Sequence, residues 1–276
     1  MRLWKFATVI VGYHLRMTSM LLSQSAAAKV EWPVVAGDAG GTRYSPLKDG
    51  WIEDALEVSV RAVDSKGTIR GSEHFDLNVR IRPESRPILN STGFRAISKI
   101  EVPPGKYRLL IGVREIRGGP LGTIYTDLEV PDFATAPLAM SHMLLTSVNT
   151  GGPPTGRAEQ LRDRLPVLPS TVRAFKSDDE LGMFVEVYDN DTVNVHTIDL
   201  TASILDGNKN ALVRLREERS KQVALAASEP IRYGVGVPLK DLKPGTYSAR
   251  IEAASRLDRK MLVAREVLFS IIGPTP

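Results

Sequence analysis

The amino-acid sequence predicts an all-β chain built as two tandem antiparallel sandwiches, and three observations lead there. Apolar and polar residues alternate in segments from Leu56 to Ile271, with the period of two that a half-buried strand requires. Pro104-Gly105-Lys106-Tyr107 returns as Pro244-Gly245-Thr246-Tyr247, and each copy runs straight into an alternating strand. No convincing helical period interrupts either half. A Pro-Gly turn followed by a tyrosine that opens a strand marks a corner of immunoglobulin-like or fibronectin type III-like sandwiches. There the tyrosine hydroxyl pins backbone upstream. Pro104, Gly105, Tyr107, Pro244, Gly245 and Tyr247 are therefore read as structural corner residues rather than ligand contacts.

The elements follow in order. Residues 1–28 read as an export signal: Arg2 and Lys5 are basic, Phe6–Leu22 is mostly apolar, and Ala26-Ala27-Ala28 offers a cleavage site. His14 and Arg16 interrupt the apolar run. Residues 29–50 form an irregular leader rich in glycine and proline. Strands are expected at Leu56–Ala62, Phe75–Ile81, Phe94–Val102, Tyr107–Ile116 and Thr123–Val130, giving a first sandwich over 51–133. Asp64–Gly67 and Arg117–Pro120 are turns between them. Pro131–Pro137 is a hinge, and a second sandwich spans 137–273.

Ala139–Thr146 should be an edge strand of the second sandwich, and 147–156 has nothing to bury and should be a mobile loop. Arg157–Leu165 could make one or two helical turns with its charges in water. Further strands are expected at Leu181–Tyr188, Ile198–Ile204, around Val213 and Leu215, at Val235–Leu239, after the corner, and at Val267–Ile271. Asp206–Asn210 is a hairpin turn.

Composition limits the function classes. A chain of 276 residues with 42% apolar and 25% charged residues is long enough for two domains, each with its own core. Residues 1–28 carry Arg2, Lys5 and Arg16 and no acid, so most of the formal charge of +4 belongs to the export signal. The small excess left gives no electrostatic footprint for nucleic acid or an anionic membrane. The absence of cysteine excludes disulfides, thiol catalysis and cysteine-ligated metal.

The chemistry-bearing residues are scattered. Tyr188-Asp-Asn-Asp-Thr192 places Asp189 and Asp191 two apart, the weak beginning of a calcium loop that lacks the later oxygens and is better read as a turn. His14, His74, His142 and His196 show no metal-ligand spacing, and His74 and His196 are expected at polar strand ends. Gly37–Thr42 lacks the lysine and helix of a phosphate loop. Arg214–Arg219 mixes arginine with glutamate and reads as a solvated strand face. No catalytic constellation and no cofactor follow from these residues. A partner protein is expected at sheet edges or loops, with 139–146 and 147–156 foremost.

Two resemblances add to this reading. Leu56-Glu-Val-Ser-Val-Arg-Ala-Val-Asp64, Leu77-Asn-Val-Arg-Ile-Arg-Pro-Glu84, Val102-Pro-Pro-Gly-Lys-Tyr107, Val130-Pro-Asp-Phe133, Ala136-Pro-Leu-Ala-Met-Ser141, Glu186-Val-Tyr-Asp-Asn190 and Leu239-Lys-Asp-Leu-Lys-Pro-Gly-Thr-Tyr247 carry the first. With them the chain from Leu56 onward resembles the C-terminal tail of bacterial secreted proteins that carry a von Willebrand factor A-type domain. The Asp-x-Ser-x-Ser metal motif of that domain is missing, so the resemblance implies tandem sandwiches without metal-dependent adhesion. Glu31-Trp-Pro-Val-Val-Ala-Gly-Asp-Ala-Gly-Gly-Thr-Arg-Tyr-Ser-Pro-Leu47 is similar to the leader of pyrroloquinoline quinone-dependent dehydrogenases, without the propeller repeats that follow it there. The resulting expectation is an exported, non-catalytic interaction, adhesion or spacer module of the cell envelope, periplasmic or extracellular. The alternative is a remnant of a quinone-dependent oxidoreductase.

Overall fold

The computed structural model describes residues 7–12, 47–48, 50–85, 95–116, 121–148, 155–161, 165, 168–170, 173–191, 193–221, 230–258 and 261–273. In chain order the strands begin with β1 (Ala7–Gly12), β2 (Leu47–Lys48), β3 (Trp51–Asp64), β4 (Ile69–Ile81), β5 (Arg95–Val102), β6 (Gly105–Glu115) and β7 (Leu121–Val130). Next come β8 (Leu138–Met140), β9 (Leu144–Ser147), β10 (Thr155–Gly156), β11 (Ala174–Lys176) and β12 (Glu180–Asp189). The last five are β13 (His196–Leu205), β14 (Ala211–Lys221), β15 (Ile231–Pro238), β16 (Gly245–Ser255) and β17 (Leu262–Ile272). Among the described residues there is no α-helix; Pro83–Ser85 and Ala158–Leu161 are 3-10 turns. The protein is all-β, as its alternation predicts.

The chain forms two compact units, Met1–Pro131 with Pro153–Arg164, and Asp132–Gly152 with Leu165–Pro276. In the first unit β4, β3, β6 and β7 pair side by side, and β2 pairs with the start of β3. A second sheet runs β1-β5-β10. Val58, Val60 and Ala62 from β3, Leu109 and Ile111 from β6, and Ala96, Ile100 and Val102 from β5 meet in one core. Each such side chain contributes roughly 1.5–3 kcal/mol by leaving water, less for alanine. The two sheets come close where β4 passes β5. A Cβ on Gly71 would stand 2.6 Å from Val102 Cγ1 and 2.8 Å from the Glu101 carbonyl oxygen, so this crossing tolerates only glycine.

The export signal and leader predicted over 1–50 fall largely outside the described residues. Within that stretch β1 pairs antiparallel with β5, from Ala7 opposite Val102 to Gly12 opposite Ile97. The loop expected over 147–156 needs correction at both ends. Ser147 closes β9, and the Val148 N–H donates to the Glu180 carbonyl at 3.0 Å. Thr155 and Gly156 are β10, which pairs in parallel with Arg95 and Ala96 of the first unit. Residues 149–154 lie outside the described residues.

Arg157 is likewise not solvated. Its guanidinium donates to Glu73 Oε1 at 2.6 Å and to the Ile97 carbonyl at 3.3 Å, and stacks 3.9 Å from the Phe75 ring. The reason is local: the chain leaving β10 brings Arg157 beside β4, where half-buried Glu73 next to Phe75 gains a cation.

The second unit is a sandwich of a five-stranded sheet, ordered β11-β17-β16-β13-β14, and a smaller one of β15, β12, β8 and β9. Its core interleaves Leu181, Met183, Val185 and Val187 of β12 with Ile198, Leu200, Ala202 and Ile204 of β13. Ala249, Ile251 and Ala253 of β16 and Phe269 of β17 join them. Phe175 packs edge-on to Phe269 with ring centres 6.0 Å apart, which fixes short β11 at the sheet end.

Candidate functional site

The outer face of the smaller sheet in the second unit carries a groove of about 220 Å³. Two cross-strand rows make it. Thr146 of β9, Gly182 of β12 and Gly236 of β15 stand side by side, and next to them Leu144, Phe184 and Gly234 form the second row. In a strand these alternate positions share one face, and three of the six lack a side chain. The concavity they leave is shared by the Thr146, Glu180 and Phe184 side chains, which lean toward Gly182, Gly236 and Gly234. Leu144 and Phe184 wall one side, with Val148, Leu165 and Pro169 completing an apolar rim. The rim is braced: Thr146 Oγ1 donates to the Leu168 carbonyl at 2.7 Å, and the Ser170 N–H donates to the Leu145 carbonyl at 2.7 Å.

Glu180 supplies the charge. A Cβ on Gly236 would run into the Glu180 carboxylate, and one on Gly182 would come within 2.5 Å of Thr146 Cγ2. The two glycines thus give room for these polar side chains to lean over the floor. Gly234 differs, because a Cβ there meets only ordinary contacts, 3.5 Å from Phe184 Cδ2. No lysine, arginine or histidine lines the groove among the described residues. The spacing of the three glycines carries no motif, so the sequence offered no signal for this site.

The predicted site residues lie elsewhere. Tyr107 Oη donates to the Pro103 carbonyl and Tyr247 Oη to the Lys243 carbonyl, each at 2.7 Å and each four residues upstream. Pro104 and Gly105, like Pro244 and Gly245, form the turn that the tyrosine spans. Tyr107 is buried and Tyr247 half-buried. Tyr107→Phe should cost about 1 kcal/mol, since the Pro103 carbonyl loses its donor away from water. Tyr247→Phe should cost clearly less, because water can replace the hydroxyl. Denaturant unfolding of both variants checks this, and equal losses would contradict the burial argument.

Asp189 and Asp191 do not face a common point. Asp189 Oδ1 accepts the Asp191 N–H at 3.0 Å, while Oδ2 lies 2.8 Å from His196 Nε2. The latter contact is close but not aligned as a hydrogen bond. Asp191 caps the turn after β12, accepting from the backbone of Val193 and Asn194 and from the Asn194 amide. Hydrogen bonds from the Asn194 side chain and backbone and from the Val193 backbone hold the Asp191 carboxyl at about 2. Among the described residues no three groups capable of holding a metal ion gather.

The histidines also depart from expectation. His74 sits mid-strand in β4, 3.5 Å from Glu57, and is exposed. His196 opens β13 but is buried rather than at a polar end, with only 3% of its side chain exposed. His142 lies between β8 and β9, where burial and then the Arg265 charge push its imidazole down from its ordinary value. His14 lies outside the described residues. So does Gly37–Thr42, and the quinoprotein-like stretch is described only at Leu47. Arg219 of the 214–219 run pairs with Glu217, and Glu218 with Arg256, on the exposed β14 edge.

The edge expected at 139–146 is split into β8 and β9, and part of it is covered. Arg265 of β17 donates to the Met140 carbonyl at 2.7 Å and to the Ser141 carbonyl at 3.1 Å. A guanidinium holding edge carbonyls blunts strand addition there. The open feature of this sheet is its glycine-lined face.

No protein-family model matches the chain, and no curated protein does. Among solved structures, a Bacteroides uniformis β-glucuronidase is 11% identical with a TM-score of 0.33, covering 79% of this chain and 24% of its own. A Parabacteroides merdae β-glucuronidase is 12% identical with a TM-score of 0.30, covering 83% and 27%. Red sea bream transglutaminase is 8% identical with a TM-score of 0.26, covering 81% and 27%. The chain thus spans about a quarter of the length of these enzymes. At such identities and scores, nothing of their activity passes to it.

Proposed function

We propose that this chain is an exported, non-catalytic binding protein of the cell envelope. In this reading its tandem sandwiches, of the immunoglobulin-like kind, present the glycine-floored groove of the second unit to a partner. The observation that carries the reading is the groove itself. The lack of a side chain at Gly182, Gly234 and Gly236 leaves a concavity overhung by Thr146 and Glu180 and rimmed by Leu144, Phe184, Leu165 and Pro169. Concave apolar sites with one polar group are the usual form of a ligand site. Export is supported by the basic, apolar and small-residue order of residues 1–28, and the tail resemblance from Leu56 onward supports a secreted setting.

Gly234→Leu tests the reading, because the backbone there accepts a side chain and leucine would fill the trough. The full chain with a photo-reactive group in place of Phe184 is exposed to a cell-envelope extract. Crosslinks are expected at that position, lost with Gly234→Leu and retained with Leu268→Asp, which alters an exposed position on the other sheet. Crosslinking that survives Gly234→Leu unchanged would overturn the proposal.

A further inference from the structure

We infer that the groove receives a long basic side chain, lysine or arginine, from a protein partner. Its aliphatic stem would lie along the apolar lining of Leu144, Phe184, Leu165 and Pro169 and its charge at Glu180. This inference rests on the reading of the groove as the binding site. Two observations carry it.

First, Glu180 is the sole charged residue in the lining among the described residues, so the groove is apolar along its length and acidic at one end. Second, the carboxylate lies over the floor. It occupies the space that a Cβ of Gly236 would need, and Glu180 is tied at its backbone by the Val148 N–H bond at 3.0 Å and the Asp179 Oδ1 bond at 2.8 Å.

An anionic ligand would meet the carboxylate with like charge and no compensating cation. A neutral apolar ligand would leave the carboxylate partly desolvated and without a counter-charge. A stem that ends in a cation satisfies both parts at once, because long basic side chains bury their methylenes while keeping the head near polar groups.

The test uses three six-carbon probes on the full chain: n-hexylammonium, hexan-1-ol and hexanoate. Binding is read from the amide shifts of Gly182, Gly234 and Gly236 in nitrogen–proton spectra. Hexylammonium should shift these amides saturably and bind about tenfold more tightly than hexanol, with hexanoate weakest. Glu180→Gln should erase the preference for ammonium while leaving hexanol binding in place, which also shows that the variant is folded. Equal binding of hexanol and hexylammonium would overturn the cationic ligand while keeping the groove as a site. Failure of every probe to perturb the three glycines would overturn both.

Discussion

Asp189→Ala is expected to destabilise the second unit by about 1–3 kcal/mol for each buried polar group it strands. Asp189 ends β12 and His196 opens β13, so the pair closes the turn that carries the chain from the smaller sheet to the larger one. Both side chains are almost fully enclosed, at 2% and 3% exposure. His196 Nδ1 already faces the Asn194 carbonyl at 3.1 Å. Without Asp189 the other ring nitrogen would stay enclosed without its neighbouring carboxylate, and the Asp191 N–H would lose the Oδ1 acceptor. Hydrogen exchange of β12 and β13 amides in the full chain measures the loss. The double variant Asp189→Ala with His196→Leu should recover a large part of it, since the stranded polar ring is then gone. A loss under about 1 kcal/mol in the single variant would refute the coupling.

Arg157→Ala should weaken the first unit by about 2–3 kcal/mol, because it removes charge-assisted hydrogen bonds and the stacking on Phe75. It should also change the acid response. Burial pushes the Glu73 carboxyl up, but hydrogen bonds from Arg157, Ser98 and the Lys99 backbone together outweigh it and hold the group below its ordinary value. A carboxyl lowered in the folded state adds stability above its unfolded value, and that stability is lost as pH falls through the lower folded value. Protection of β5 amides from exchange should therefore decline below about pH 4 in the native chain. In the Arg157→Ala variant the decline should be shallower, since the main source of the lowering is gone. Arg157→Lys should fall between the two, keeping the charge but not the planar fork. Identical acid profiles for all three would remove Glu73 from the account.

Strands were legible in the sequence wherever one face is wet and the other dry. β3, β12 and β13 follow the alternation of Val58, Val60, Leu181, Val185, Ile198 and Leu200 closely, because period-two burial is written residue by residue. β10 and β11 were not legible, since two or three residues cannot display a period. Arg157 read as solvated because its partner Glu73 is 84 positions away. Asp189 and His196 were each visible as polar residues near strand ends, but only the returning turn makes them a pair. The groove was the least legible feature. It consists of side chains that are missing from adjacent strands, and only their register places Gly182 opposite Gly236.

The return of Pro153–Arg164 to the first unit has a consequence for the order of synthesis. Domains made on the ribosome generally fold from the N-terminus as each is completed. Here the first unit cannot be complete when residue 131 emerges, because β10 and Arg157 come only after 132–152, which belong to its neighbour. Until then Glu73 lacks its cation and β5 has β1 on one side but not β10 on the other. The nascent chain must carry a half-closed sandwich through the making of part of the next one, and the last piece of the older unit arrives while the younger is still being written.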